Sequence, residues 1–436
     1  MTKSSNTPSS KKNESLKTTR RNFLKSAAAL PVMAVAPGLL HAASSEHVVV
    51  IGGGFGGATV AKYIRLWSNN SIQVTLVDPK ALHTSCIMSN LVVNNRLRLD
   101  QLKITYDSLR DTHGVTVLRD KAIDIDPAAH TVRLKAGGNL HYDKLILAPG
   151  IGFKPLEGWD KKVMPHAWIA GNQTTLLKRQ VSRLAQDSTF IMTIPRSPYR
   201  CPPGPYERAC LIADHFVRKG ISETDEARVV ILDANEDIQA ERETFSKAFD
   251  GIYRNIIDYV PNTEVFAADA STMALDTSFG EYRADAINII PNQRAAWLLR
   301  KTGLTDGGDW APVDPVTYES SVYPDIHIIG DSQATKQPKS GHMANSQAKV
   351  CADAIVRLMK GHAVDSKERL DNLTTNSACF SPITYDEASW LSANFAYDKS
   401  SGRMKLEHIG EAHEWSKGNY KEMFAWASNL FNDSFI

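Results

Sequence analysis

His47-Val48-Val49-Val50-Ile51-Gly52-Gly53-Gly54-Phe55-Gly56-Gly57 decides the fold. The apolar run Val48 to Ile51 reads as a strand buried on both faces. Gly52, Gly54 and Gly57 follow directly in the G-x-G-x-x-G spacing, and Ala58 to Trp67 reads as a helix. Glycines so placed permit a tight turn, let backbone approach a pyrophosphate, and let helix and strand pack closely. The helix N-terminus then faces the anion. A second strand, Gln73 to Val77, ends in Asp78, whose carboxylate suits ribose hydroxyls. Strand, glycines, helix, strand and acid in register indicate a dinucleotide-binding α/β domain.

Upstream, Thr19-Arg20-Arg21-Asn22-Phe23-Leu24-Lys25 forms a twin-arginine pattern. An apolar run from Ala27 to Leu40 and a small-residue site, Leu40-His41-Ala42, follow. This order of charge, apolar core and small residues reads as a signal peptide cleaved near Ala42, with export to the periplasm by the twin-arginine route. Its core falls short of the roughly 18–20 apolar residues that cross a bilayer. No later run is long and apolar enough to form a transmembrane span. The leader holds seven of the 50 Lys and Arg and one of the 48 acidic residues, which leaves 43 basic and 47 acidic side chains. A net charge of about −4 is no nucleic-acid footprint.

Five cysteines remain: Cys86, Cys201, Cys210, Cys351 and Cys379. They are too few for a disulfide scaffold. The chain has no Cys-x-x-Cys-His, so it attaches no c-type haem of its own, and no cysteine or histidine spacing supports a metal site. Cys210 and Cys351 fall in helical patterns and read as core thiols. His342 has no second ligand at useful spacing and reads as structural.

Two more strand–turn junctions stand downstream. One runs Tyr142-Asp143-Lys144-Leu145-Ile146-Leu147-Ala148-Pro149-Gly150, the other Pro324-Asp325-Ile326-His327-Ile328-Ile329-Gly330-Asp331. Both resemble the secondary FAD signatures of the two-dinucleotide-domain flavoprotein disulfide reductases. That resemblance implies FAD, held by Gly52, Gly54, Gly57, Asp78, Gly150, Gly330 and Asp331, with Asp331 by the ribityl and pyrophosphate region. Such proteins usually carry a second G-x-G-x-x-G for NAD(P)H. Here the strand Thr189 to Ile194 leads instead into Pro195-Arg196-Ser197-Pro198-Tyr199-Arg200-Cys201-Pro202-Pro203-Gly204-Pro205. Proline lacks a backbone N–H and fixes φ, so this loop offers no run of amides to a pyrophosphate. A helix, Tyr206 to Lys219, and a strand, Ala227 to Asp233, complete a dinucleotide-type frame without a phosphate grip. No NAD(P)H site is expected.

The proline-rich Cys201 loop, Lys339-Ser340-Gly341 with Ala344-Asn345-Ser346-Gln347, and Asn376-Ser377-Ala378-Cys379-Phe380-Ser381-Pro382 resemble the flavoprotein subunits of flavocytochrome c sulfide dehydrogenases. The likeness covers nearly the whole chain beyond the leader. It implies a periplasmic FAD enzyme that oxidises sulfide and passes electrons to a c-type cytochrome subunit. It also implies a redox-active disulfide between Cys201 and Cys379, with Cys379 on the flavin side. It further implies a thioether from Cys86 to the flavin. The stretch Cys86-Ile87-Met88-Ser89-Asn90 fits that attachment, although the family often has an aromatic residue where Ile87 stands. Glu207 opens the helix beside the Cys201 loop and by position can relay protons; an acid is also favoured there for the helix alone. Arg196 and Arg200 are placed to draw an anion and lower a thiol pKa.

The expected architecture is α/β: two Rossmann-like dinucleotide-binding domains, the second degenerate, and a C-terminal α+β domain. The expected boundaries are 1–42 for the signal peptide, 43–165 and 292–360 for the FAD domain, 166–291 for the degenerate domain with the cysteine loop, and 361–436 for a flavin-covering or partner-facing end. Residues Tyr420 to Phe431 read as an amphipathic helix in that end. Two other functions share the pattern: a membrane-associated sulfide:quinone oxidoreductase, and a non-catalytic accessory flavoprotein of sulfur oxidation.

Overall fold

The computed structural model describes residues 46–220 and 228–436. The expected leader, with Arg20, Arg21 and the cleavage site near Ala42, lies outside the described residues. The chain begins with β1 (His47–Ile51), α1 (Phe55–Trp67), β2 (Gln73–Val77), β3 (Thr116–Leu118) and β4 (Lys144–Leu147). A middle section follows with β5 (Thr189–Ile194), α2 (Gly204–Arg218), β6 (Arg228–Asp233), α3 (Arg242–Asp250), β7 (Ile257–Val260) and β8 (Ala286–Ile289). The chain then returns through β9 (Ile326–Ile328) and α4 (Gly341–Met359). It ends with β10 (Thr374–Pro382), β11 (Ala388–Asp398), β12 (Arg403–Glu411) and α5 (Lys417–Phe435).

The first sheet runs β9-β4-β1-β2-β3, all parallel. β1 is its centre, which is why Val48, Val49 and Val50 are fully buried. Parallel order puts Gly52, Asp78, Gly150 and Gly330-Asp331 all at the carboxyl ends of neighbouring strands. An open α/β sheet binds its ligand in the crevice outside those ends. The helix after β1 starts at Phe55, three residues before the sequence pattern places it, because the glycines at 56 and 57 continue into helical backbone and are buried there. A Cβ on Gly57 would collide with the Gly52 carbonyl oxygen.

The second sheet runs β7-β6-β5-β8, again parallel. Its cysteine loop leaves the carboxyl end of β5, as a phosphate loop would. The loop's amides are spent inside the protein. Arg196 N donates to Asn292 Oδ1 at 2.8 Å, Ser197 N to Asn235 Oδ1 at 2.8 Å, and Arg200 N to Gln293 Oε1 at 2.9 Å. Cys201 N donates to the Lys339 carbonyl at 2.7 Å, which ties this loop to the start of α4. α2 begins at Gly204, ahead of the expected Tyr206, because Pro205 suits the first helical turn. The third sheet, β10-β11-β12, is antiparallel. With α5 it forms the α+β end, and the expected amphipathic helix extends over the whole of Lys417–Phe435.

Gly57→Ala is expected to lower unfolding stability by about 1–3 kcal/mol through overpacking, with a matching loss of flavin from the purified protein. Urea unfolding and the visible spectrum read both effects.

Candidate active site

One cavity gathers the residues that the sequence scatters over 300 positions. It is lined by Gly52, Gly54, Asp78, Cys86, Gly150, Cys201, Glu207, Gly330, Asp331 and Cys379. Gly57 lies beneath it, where its lack of a side chain lets the Gly52 turn close.

The floor fits a flavin dinucleotide on three observations. The Gly52 turn takes φ of +102°, and a Cβ there would meet the Ala148 carbonyl carbon at 2.9 Å. The Asp78 carboxylate accepts from Gly53 N at 2.7 Å, so it is fixed at the end of β2. Asp331 Oδ1 is buried with no hydrogen-bond partner among the described residues, and burial raises its pKa. Such an acceptor calls for a hydroxyl donor from a ligand. The N-terminus of α4, capped by Ser340 Oγ accepting from Met343 N at 3.0 Å, also opens on the cavity and favours negative charge there.

Cys201 and Cys379 line the same cavity. Cys201 leaves β5 by the proline loop in a left-handed conformation, φ +58°, unusual for a residue with a side chain. Its sulfur has room because residue 204 is glycine. A Cβ on Gly204 would come within 2.9 Å of Cys201 Sγ and of the Trp168 ring. Cys379 sits on β10, and the backbone N–H of its neighbour Ala378 donates to His342 Nδ1 at 3.0 Å. His342 therefore has a structural task, as expected, and it anchors the strand that bears a site thiol. All five cysteines lie among the described residues and are free thiols. Cys201 and Cys379 share one cavity as free thiols, and the charge of Cys379 is felt at Cys201. Cys86 lines the same cavity; its Sγ accepts from Ala170 N at 3.4 Å. Cys210 and Cys351 are fully buried in the cores, as their helical patterns suggest.

Burial sets the ionisation of this group. It pushes the Cys201 thiol well up, with the charges of Cys379 and Glu207 adding to the rise. It pushes Cys379 up to about 12 and Glu207 up to about 8. The expectation that Arg196 and Arg200 lower a thiol pKa is corrected here. Arg200 does pull Cys201 down, but desolvation outweighs it. Arg196 points outward and pairs with Glu264. Arg200 instead reaches the Trp168 carbonyl, with Asp331 Oδ2 3.9 Å from its Nη1.

Sequence reasoning missed Arg208 and Trp168. Arg208 is 2% exposed. It donates to Asn90 Oδ1 at 2.9 Å, Asn288 Oδ1 at 2.7 Å, the His166 carbonyl at 3.2 Å and the Ala167 carbonyl at 2.7 Å. Its guanidinium also lies 5.0 Å from the Trp168 ring centroid. The available signal was an arginine one place after Glu207 on a helix whose other residues are apolar enough to be buried.

Residues 174–291 match the family profile for the sulfide dehydrogenase (flavocytochrome c) flavoprotein chain, central region, and residues 46–174 match the pyridine nucleotide-disulphide oxidoreductase profile. The flavoprotein chain of sulfide dehydrogenase (flavocytochrome c) from Chlorobaculum thiosulfatiphilum is 54% identical over 48 residues, 98% of that sequence and 11% of this one. The chain belongs to this flavoprotein family. The mitochondrial sulfide:quinone oxidoreductase of Mus musculus is 22% identical over 339 residues, 72% of this chain and 71% of that one. The crystal structure of the sulfide:quinone oxidoreductase of Aquifex aeolicus superposes with a TM-score of 0.70 at 18% identity, covering 89% of this chain and 92% of that one. That superposition bears out the α/β dinucleotide-binding architecture.

Arg208→Met should remove the donor from the Ala167 carbonyl and from the Asn90 and Asn288 amide oxygens, while the His166 carbonyl keeps Asn288 Nδ2 at 2.9 Å. It is expected to lower the unfolding free energy by about 2 kcal/mol or more, read by chemical denaturation.

Proposed function

We propose that this protein is a periplasmic FAD-dependent sulfide dehydrogenase that delivers electrons to a c-type cytochrome subunit. The observation that carries the reading is the meeting of Cys201, Cys379 and Glu207 over a cavity whose floor fits FAD. The 48-residue likeness to a sulfide dehydrogenase flavoprotein chain supports the cytochrome as acceptor. The longer likenesses to sulfide:quinone oxidoreductases favour a second reading, with a quinone as acceptor. No helix among the described residues is long and apolar enough to cross a membrane. A nicotinamide donor is not part of the proposal, since the loop after β5 has its amides occupied within the protein.

In the proposed cycle the resting pair is the Cys201–Cys379 disulfide. Hydrosulfide attacks one Sγ; a new sulfur–sulfur bond forms as the old one breaks, and the other Sγ departs with the electron pair as thiolate. The substrate sulfur is oxidised by the two electrons that the departing cysteine sulfur gains. Glu207 takes the proton that the persulfide must shed. Because burial disfavours the thiolate that this step releases, that sulfur either takes a proton or passes its electron pair on. FAD, when bound, supplies a two-electron acceptor that can release electrons singly. Asp331, Asp78 and the Gly52 turn would hold it, and Cys86 would tether it covalently.

Anaerobic sulfide is expected to bleach the flavin of the purified protein. Cytochrome c should then restore the colour; restoration by a quinone alone would favour the second reading, and no bleaching would leave only an accessory role. Cys201→Ser and Cys379→Ser are each expected to abolish bleaching while FAD stays bound, and normal bleaching in either variant would overturn the mechanism. Acid precipitation should leave the flavin in the pellet for the wild type and release it from Cys86→Ala. Glu207 gains its charge only as pH rises through about 8. Bleaching should therefore accelerate with pH across that range, beyond what sulfide ionisation explains, and Glu207→Gln should lose that limb.

A further inference from the structure

A second carboxyl lies behind the thiols and takes no part in the cycle above. Glu241 is 1% exposed and stands just before α3, at φ +49°. That left-handed backbone is strained for a residue with a long side chain, and a strained buried residue invites a functional explanation. Its Oε2 accepts from Ser381 Oγ. Its Oε1 and the buried Ser389 Oγ form no well-aligned hydrogen bond among the described residues, yet Ser389 lies close enough to pull the carboxyl's pKa down. A buried carboxyl with one oxygen so weakly held is expensive to keep unless something uses it.

The sheet connects this carboxyl to the site. Cys379 and Ser381 are two apart on β10 and so project from one face. Ser381 pairs with Ser389 on β11, and Cys379 pairs with Leu391, which in turn pairs with Glu411 on β12. One face of the sheet thus leads from the Cys379 thiol to the exposed Glu411. Glu241 packs against that face. Its charge is felt at Glu207 and Cys210 on α2 and at Cys379 on β10. Glu411 is felt at Glu241, and the exposed Glu243 at Glu411. In the cycle above, the proton shed by the persulfide and any proton taken up by the departing thiolate must leave the cavity, and the two electrons leave by another route. The protons need acceptors whose burial falls step by step toward water.

We propose that Glu241 relays protons between the Cys201–Cys379 cavity and the surface at Glu411, with Ser381 and Ser389 holding its carboxyl in line. The inference rests on the reading of the two cysteines as a redox pair. Burial raises Glu241 to about 7 and Glu207 to about 8, so neither carboxyl holds a proton much more strongly than the other.

The test uses the holoprotein and Glu241→Gln. Anaerobic sulfide is mixed with each in weak buffer with a pH-indicator dye, and flavin absorbance and dye are followed together. In the wild type the dye should track bleaching. In Glu241→Gln the dye response should lag on the order of 10²-fold, and the pH profile should lose its near-neutral component while the flavin spectrum is unchanged. Equal lag and equal pH profile in both proteins would overturn the relay. Should Glu241→Gln load no flavin, Ser389→Ala takes its place, with a slowed dye response expected and an unaltered one fatal. Should sulfide fail to bleach the wild type, the proposed function falls, and the relay is then judged by electrochemical reduction with infrared detection. A carboxyl band that changes on reduction in the wild type and is missing in the variant supports it; identical spectra overturn it.

Discussion

A single buried guanidinium holds the site in register. Arg208 stands on the first turns of α2, one residue from Glu207 and seven from Cys201. Through its bonds to Asn90, Asn288 and the carbonyls of His166 and Ala167, it joins its own helix to three other stretches of chain, four in all. One of those stretches carries Cys86, and another carries Trp168, which packs beside Cys201. A buried charge is tolerated only when its hydrogen bonds are satisfied, so the four stretches cannot drift independently. The stretch that carries Cys86, the Cys201 loop and the helix that carries Glu207 are therefore set by one side chain, which itself lines the cavity.

The same burial that fixes the site sets its chemistry, at the expense of stability. In the unfolded chain Glu207 and Glu241 ionise near 4.5, whereas the folded protein holds them neutral until about 8 and about 7. Between those values the folded state binds more protons than the unfolded one. Stability accordingly falls as pH climbs from the ordinary carboxyl range, and the loss levels off above the folded values. Two such groups weaken the fold at neutral pH. A purely structural account would place glutamine or an apolar residue at both positions.

The frame of the protein was legible in its sequence because its signals are local. The Val48–Gly57 stretch, the Asp78 acid and the two later strand–turn junctions each carry their meaning within a dozen residues. The cysteine loop after β5 was legible as a lost phosphate grip for the same reason. What could not be read from spacing was the approach of Cys379, 178 positions from Cys201 in the numbering of the chain; only likeness to a family suggested it. Arg208, Trp168 and Glu241 escaped because their roles come from tertiary neighbours. The thiol pKa was misjudged for Arg200 because charge is visible in a sequence and desolvation is not.

The middle domain shows how an anion site can become a thiol site without changing its frame. Strand, loop and helix still run β5, 195–203, α2, and the helix N-terminus still points into the cavity. In a phosphate loop the free amides would bind a permanent anion. Here the neighbouring amides are engaged by Asn292, Asn235, Gln293 and Lys339, and the prolines have none to offer. The amide of Gly204 donates to the Cys201 carbonyl at 3.0 Å, and it is also one of the influences that pull that thiol down. Desolvation keeps the free thiol neutral, whereas the helix end favours the thiolate when a sulfur–sulfur bond breaks. The balance between those two opposing effects, rather than either alone, makes the loop reactive only while a bond is being exchanged.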